Sequence, residues 1–147
     1  MCTTGLHGQE VPTKEAQFTC GLNATYIFLY RAGHHVDYDQ LVREFCAQTP
    51  PDSLLAIRNV LAKHGCPTWG IQADADYFLD NRGPAIVFLK LDGYSLYGEP
   101  HFSYMVKASR ANGVEFRDPI FQADKGCIVT WDTFTRLYKG MALVAHE

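Results

Sequence analysis

In the stretch "QFTCGLNATYIFLYRAG", residues 17 to 33, Cys20 stands directly ahead of Gly21 where the pattern predicts a helix to start. A free thiol is a poor nucleophile at neutral pH because little of it is ionised. A helix start, with its unpaired N–H groups, favours the thiolate, and a nearby imidazolium favours it more. Gly21, with no side chain, is expected to leave room for a substrate backbone beside the sulfur. Taken alone, the pair reads more readily as a buried structural thiol, since free cysteine is among the most buried residue types.

Two later features change that reading. His101 follows Pro100 and opens a predicted strand, so its ring should stand at a strand entrance beside a loop. Asp118, fixed by Pro119, closes the next strand, "VEFRD". If the chain turns at Asn112-Gly113, a hairpin signal, the strands run antiparallel and residues 101 and 118 meet at the same open end. A carboxylate beside a histidine holds the tautomer and orientation that proton transfer needs. Singly, His101 reads as an exposed strand residue and Asp118 as a turn former. Their joint placement is harder to explain that way.

The elements that must position these groups follow from periodicity. Residues 1–18 read as an irregular lead-in. A mostly buried helix is expected from a Thr19 cap to Gly33, with Leu22, Tyr26 and Leu29 on one face. Asp37 and Gln40 resemble a capping box opening a short helix. Asp52 or Ser53 caps a third helix with a stripe of Leu54, Ile57, Val60 and Leu61 that ends at Gly65. Strands are expected at "TWGIQA", "PAIVFLKL", "HFSYMVKA" and "VEFRD", with a helical turn in "DADYFLD". A short strand and a helix closed by Gly140 follow, then a last strand, "MALVAHE". Helices first and antiparallel strands after make an α+β fold in a single domain, 1–147.

The segments "CGLNATYIFLYRAG", "HFSYMVKA", "VEFRDPIF" and "FTRLYKGMALV" together resemble the bacteriocin-processing, double-glycine type of papain-like cysteine peptidase. The likeness rests on Cys20-Gly21, His101-Phe102, Asp118-Pro119 and Tyr138-Lys139-Gly140, in that order, and spans essentially the whole chain. It implies a papain-like α+β fold, with N-terminal helices packed on a C-terminal antiparallel sheet. It also implies hydrolysis of a peptide bond, often after a Gly-Gly in a leader peptide. The family places a glutamine six residues before the cysteine, donating its amide to the oxyanion. Lys14 occupies that place here, and the nearest glutamine is Gln17, three residues before Cys20. Losing one such donor typically costs on the order of 10²–10³ in turnover.

The mechanism these residues predict is covalent. The Cys20 thiolate, paired with His101 as imidazolium, attacks a carbonyl carbon. The Cys20 N–H and the Gln17 amide stabilise the oxyanion. His101 protonates the leaving amine and then activates water, while Asp118 orients His101. Apolar walls would narrow the cleft to residues without Cβ, with Trp69 and the loop "GYSLYGEP" as candidates. The expected partners are a peptide or leader-peptide substrate and a separate export transporter. Two rival readings stay open: a peptidase-like module that binds an extended peptide without cutting it, favoured by Lys14, and a Cys-His-Asp amidase or acyltransferase.

Composition narrows the classes. Net charge is −3 and the 13 Lys and Arg are scattered, which argues against nucleic acid as a partner. No apolar stretch approaches a membrane span, and no signal peptide is visible, so a cytoplasmic protein without membrane insertion is expected. The five cysteines are irregularly spaced and read as reduced thiols. Cys46, Cys66 and Cys127 show no zinc spacing. Asp74, Asp76 and Asp80 lack the glycine and terminal glutamate of a calcium hand. No metal or cofactor is therefore expected. His34-His35, just past a helix end, is explained by the negative end of the helix dipole.

Overall fold

Three helices precede the first strand: α1 (Thr13–Arg31), α2 (Tyr38–Cys46) and α3 (Leu54–Lys63). There follow β1 (Thr68–Gln72), a 3-10 turn (Ala75–Phe78), β2 (Ala85–Lys90), β3 (Pro100–Ser109) and β4 (Gly113–Arg117). The chain closes with β5 (Cys127–Val129), α4 (Trp131–Leu137) and β6 (Tyr138–Ala145). This computed structural model describes residues 13–51, 53–80, 83–90, 100–117 and 127–145, with side chains throughout except at 13–19 and 100. All strand pairs are antiparallel, in one six-stranded sheet ordered β1-β6-β2-β3-β4-β5. The α+β expectation is met.

Strand β2, "AIVFLK", shows why the sheet sits where it does. Its apolar run has no alternation with polar residues because both faces are covered. Ile86 packs with Phe102, Tyr104 and Leu143 under α1, α2 and α3. Ala85, Val87 and Leu89 pack on the other face with Met105, Phe116, Phe78 and Phe134 under α4. The sheet is thus the middle layer between two apolar cores, and β3 lies near its centre.

The local signals explain most helix ends. Asp37 caps α2 by accepting from the Gln40 N–H at 3.3 Å, and Ser53 caps α3 by accepting from the Ala56 N–H at 3.1 Å. Gly65 follows the α3 C-cap, His64, with φ of 84°, a left-handed stop. Three expectations are corrected. Helix α1 begins at Thr13, not at a Thr19 cap. Helix α4 ends at Leu137, so Tyr138-Lys139-Gly140 starts β6 instead of closing a helix. Cys46 is disulfide-bonded, so the five thiols are not all reduced; Cys20, Cys66 and Cys127 form no disulfide.

The Gln40 side chain does not complete a capping box. Its amide donates instead to Glu44 Oε2 at 3.0 Å, and Lys63 reaches the same oxygen at 3.0 Å. His64 Nε2 meets Glu44 Oε1 at 2.6 Å, so one carboxylate ties α2 to the end of α3. Burial alone would push the Glu44 carboxyl up. Hydrogen bonds from His64, Gln40 and Lys63, with the charge of His64, hold it below the usual carboxylate value. A value depressed by folding gives stability that is present above the unfolded carboxylate range and lost as pH falls through the folded value. Glu44→Gln should therefore cost about 1–2 kcal/mol at neutral pH. Urea denaturation should show that difference closing below about pH 4. A difference constant down to pH 3 would rule out the carboxylate as the stabilising species.

Candidate active site

Helix α1 packs its middle against β3 and α3. Cys20 is 5% exposed on this inner side, and His101, also 5% exposed, is the second residue of β3, opposite Leu89 of β2. The two segments touch one residue further on. An ideal Cβ on Gly21 would lie 3.5 Å from Phe102 Cδ2, and 3.1 Å from Cδ1 and 3.3 Å from Cγ1 of Ile57 on α3. Gly21, the residue after Cys20, is therefore laid directly against Phe102, the residue after His101. Phe102 is held in turn by Phe88, with ring centroids 5.2 Å apart. Gly21 is also anchored by its carbonyl, which accepts from the buried Thr25 hydroxyl at 2.8 Å.

The structure corrects two premises about this pair. Cys20 is not at the helix start. With α1 continuous from Thr13, it lies about two turns inside, beyond the first turn where the helix dipole acts. Gly21 is buried against Ile57 and Phe102 and opens no gap for a substrate.

The hairpin carrying the expected acid forms with a different turn. Ser109 pairs with Gly113, and Arg110, Ala111 and Asn112 make the loop. The Ser109 hydroxyl accepts from the N–H groups of Ala111 and Asn112, each at 3.2 Å. Gly113 has φ of 87°, and a Cβ there would lie 2.4 Å from the Val129 carbonyl oxygen. Glycine is thus required by the strand beside it as well as by the turn. β4 ends at Arg117, opposite Tyr104, on the arm running back toward His101. Asp118 and the loop at 91–99 lie outside the described residues, as do the side chains of Lys14 and Gln17, both on α1. Trp69 is 52% exposed on β1, an edge strand. With β6 and β2 between β1 and β3, it stands about 14 Å across the sheet from the strand that carries His101.

Among the described residues no group of three or more His, Cys, Asp or Glu is placed to hold a metal. The Cys66 thiol is pushed up by burial, the environment of an inert structural cysteine. Sequence reasoning missed Ile57 as the neighbour that Gly21 faces, since it looks like an ordinary core residue of its own helix.

A long helix laid on an antiparallel sheet, with a cysteine on the helix and a histidine at the entrance of a central strand, is the arrangement of papain-like cysteine peptidases. A double-glycine motif protease from an AMS/PCAT transporter, solved with its leader peptide, matches at TM-score 0.70 and 14% identity, over 99% of this chain and 91% of that one. The peptidase domain of Streptococcus ComA, a bi-functional ABC transporter of a quorum-sensing pathway, matches at TM-score 0.71 and 19% identity, over 92% and 93%. The peptidase domain of Streptococcus mutans ComA matches at TM-score 0.52 and 22% identity, over 65% and 75%. No curated protein sequence matches the chain. The peptidase C39 family matches residues 10–147, and the chain belongs to that family. It is a cysteine-type peptidase.

Proposed function

We propose that the chain cleaves a peptide precursor after a Gly-Gly leader motif, with Cys20 as nucleophile, His101 as base and then acid, and Asp118 orienting His101. The observation that carries this reading is the contact of Gly21 with Phe102, the residues that directly follow Cys20 and His101. The thiolate attacks the carbonyl carbon of the second glycine, breaking its bond to the next residue's nitrogen. The leaving amine takes its proton from His101, which then draws a proton from water to release the acid. Gln17, one helical turn before Cys20, is the proposed oxyanion donor. An export transporter is the proposed partner, and no helix among the described residues is long and apolar enough to cross a membrane. A cytoplasmic location fits that role.

The test is a synthetic leader peptide carrying Gly-Gly, followed by mass spectrometry. A single cut after the second glycine, abolished when that glycine is alanine, is the expected result. Cutting at unrelated sites would remove the double-glycine assignment. A second reading, a module that binds such a peptide without cutting it, is favoured by one observation: Cys20 lies inside α1 and not at its start. Peptide binding by calorimetry with no product would select it.

A further inference from the structure

Glycine inside a helix is unfavourable relative to alanine, so its presence at residue 21 needs a reason. The backbone supplies none, for Gly21 lies within α1 and has no left-handed φ. Substrate access supplies none either, because the residue is buried. What Gly21 faces is Ile57, fully buried on α3, and the ring of Phe102. A methyl at 3.1 Å from Ile57 Cδ1 is closer than the 3.5–4.0 Å at which carbon atoms rest. Ile57 sits inside a packed core with Leu22, Val60 and Leu61 and has little space to retreat. The part left to move is α1.

We propose that Gly21 is a positioning residue: the missing side chain sets how deeply α1 lies against β3, and so sets the separation of the Cys20 thiol from the His101 ring. This rests on the reading of Cys20 and His101 as nucleophile and base. Gly21 and Phe102 are the residues that follow the two reacting groups, so a displacement between them passes to the pair almost undiminished. Ile57 is the backstop. The requirement is for clearance, which a matching loss of bulk on α3 should supply equally well.

Gly21→Ala tests this in the intact chain, with the Gly-Gly leader peptide as substrate and Ile57→Val as the compensating change. A misplacement near 1 Å costs about 100-fold, and this one is smaller, so kcat should fall about 10-fold with KM within about two-fold. The acid limb of kcat/KM should move to higher pH, because a thiolate farther from its imidazolium is harder to form. The melting temperature should change little, since the gain in helix propensity opposes the overpacking. A purely structural role would lower the melting temperature and leave the pH profile in place.

Ile57→Val removes the Cδ1 atom, and the double variant should recover most of the lost kcat and the original acid limb. Wild-type kcat and pH profile in Gly21→Ala, or a loss that Ile57→Val does not relieve, would overturn the proposal. Cys20→Ala, assayed in parallel, separates the failures. An active Cys20→Ala overturns the nucleophile and the spacer together, whereas an inert Cys20→Ala beside a fully active Gly21→Ala overturns the spacer alone. If Gly21→Ala does not fold, the double variant decides: cleavage near wild type supports the spacer, and a folded but inert protein overturns it.

Discussion

Cys20→Ala is expected to abolish cleavage of the Gly-Gly leader peptide, lowering turnover by about 10⁴-fold or more, since loss of a nucleophile removes the covalent route altogether. His101→Ala should fall nearly as far, and the double variant should be hardly worse than either, because the two act as a unit. Product mass over time measures this. Persisting cleavage in Cys20→Ala would mean that another group attacks the substrate. Thiol labelling gives an independent measure. Cys20 is 5% exposed and Cys66 9%, so access alone would make Cys20 the slower of the two to react with iodoacetamide. Burial already pushes the Cys66 thiol up. Faster labelling of Cys20 therefore reports activation by its surroundings, and His101→Ala should remove the difference. Equal slow labelling in the unaltered protein would count against an activated thiol.

Phe134→Ala should produce the largest loss of stability. Phe134 is fully buried on α4, with its ring centroid 5.3 Å from Tyr138, 5.7 Å from Trp131, 6.1 Å from Phe116 and 6.2 Å from Phe78. It is the common neighbour of the aromatic cluster on the sheet face away from α1. Deleting a buried phenyl ring costs about 3–5 kcal/mol, because four aromatic partners cannot all collapse into the space. For a chain of this size that is a fall of about 10–15 °C in melting temperature by calorimetry. Cleavage at low temperature should survive, since Cys20 and Phe102, beside His101, belong to the other core. A fall below about 3 °C would mean that α4 is not packed as described.

These two expectations also show what the amino-acid pattern could reveal. Leu41, Leu54, Ile57, Val60 and Leu61 mark their helices because each has one buried stripe, and Asp37 and Ser53 mark starts through their own hydrogen bonds. The strand "AIVFLK" was readable as buried, but only the sheet order shows that its two faces serve different cores. The start of α1 was misread because Thr19 looks like a cap, while nothing in "TKEAQF" forbids a helix from continuing through it. Gly21 was misread for a related reason: the sequence shows that a side chain is missing, not which neighbour fills the space. Gly140 looked like a helix stop, yet its φ of 86° is used within β6, past a helix that ends at Leu137. The proposed pairing of Cys20 with His101 rests on an order of motifs in the sequence. The contacts of Gly21 with Phe102 and with Ile57 on a third element are encoded by no local spacing.

The sheet order has a consequence for where the molecule yields. β2, β6 and β3 are flanked on both sides by other strands, whereas β1 and β5 are edges and β5 has only three residues. Their amide hydrogens should be the last to exchange with deuterated solvent, and those of the edges among the first. His101 belongs to the slow set through its pairing with β2. Cys20 belongs to a helix that is held to the sheet by side chains alone. The two members of the proposed pair therefore sit in separately opening units, and, on that proposal, the exchange rate of α1, not of β3, should report that a peptide has entered between them.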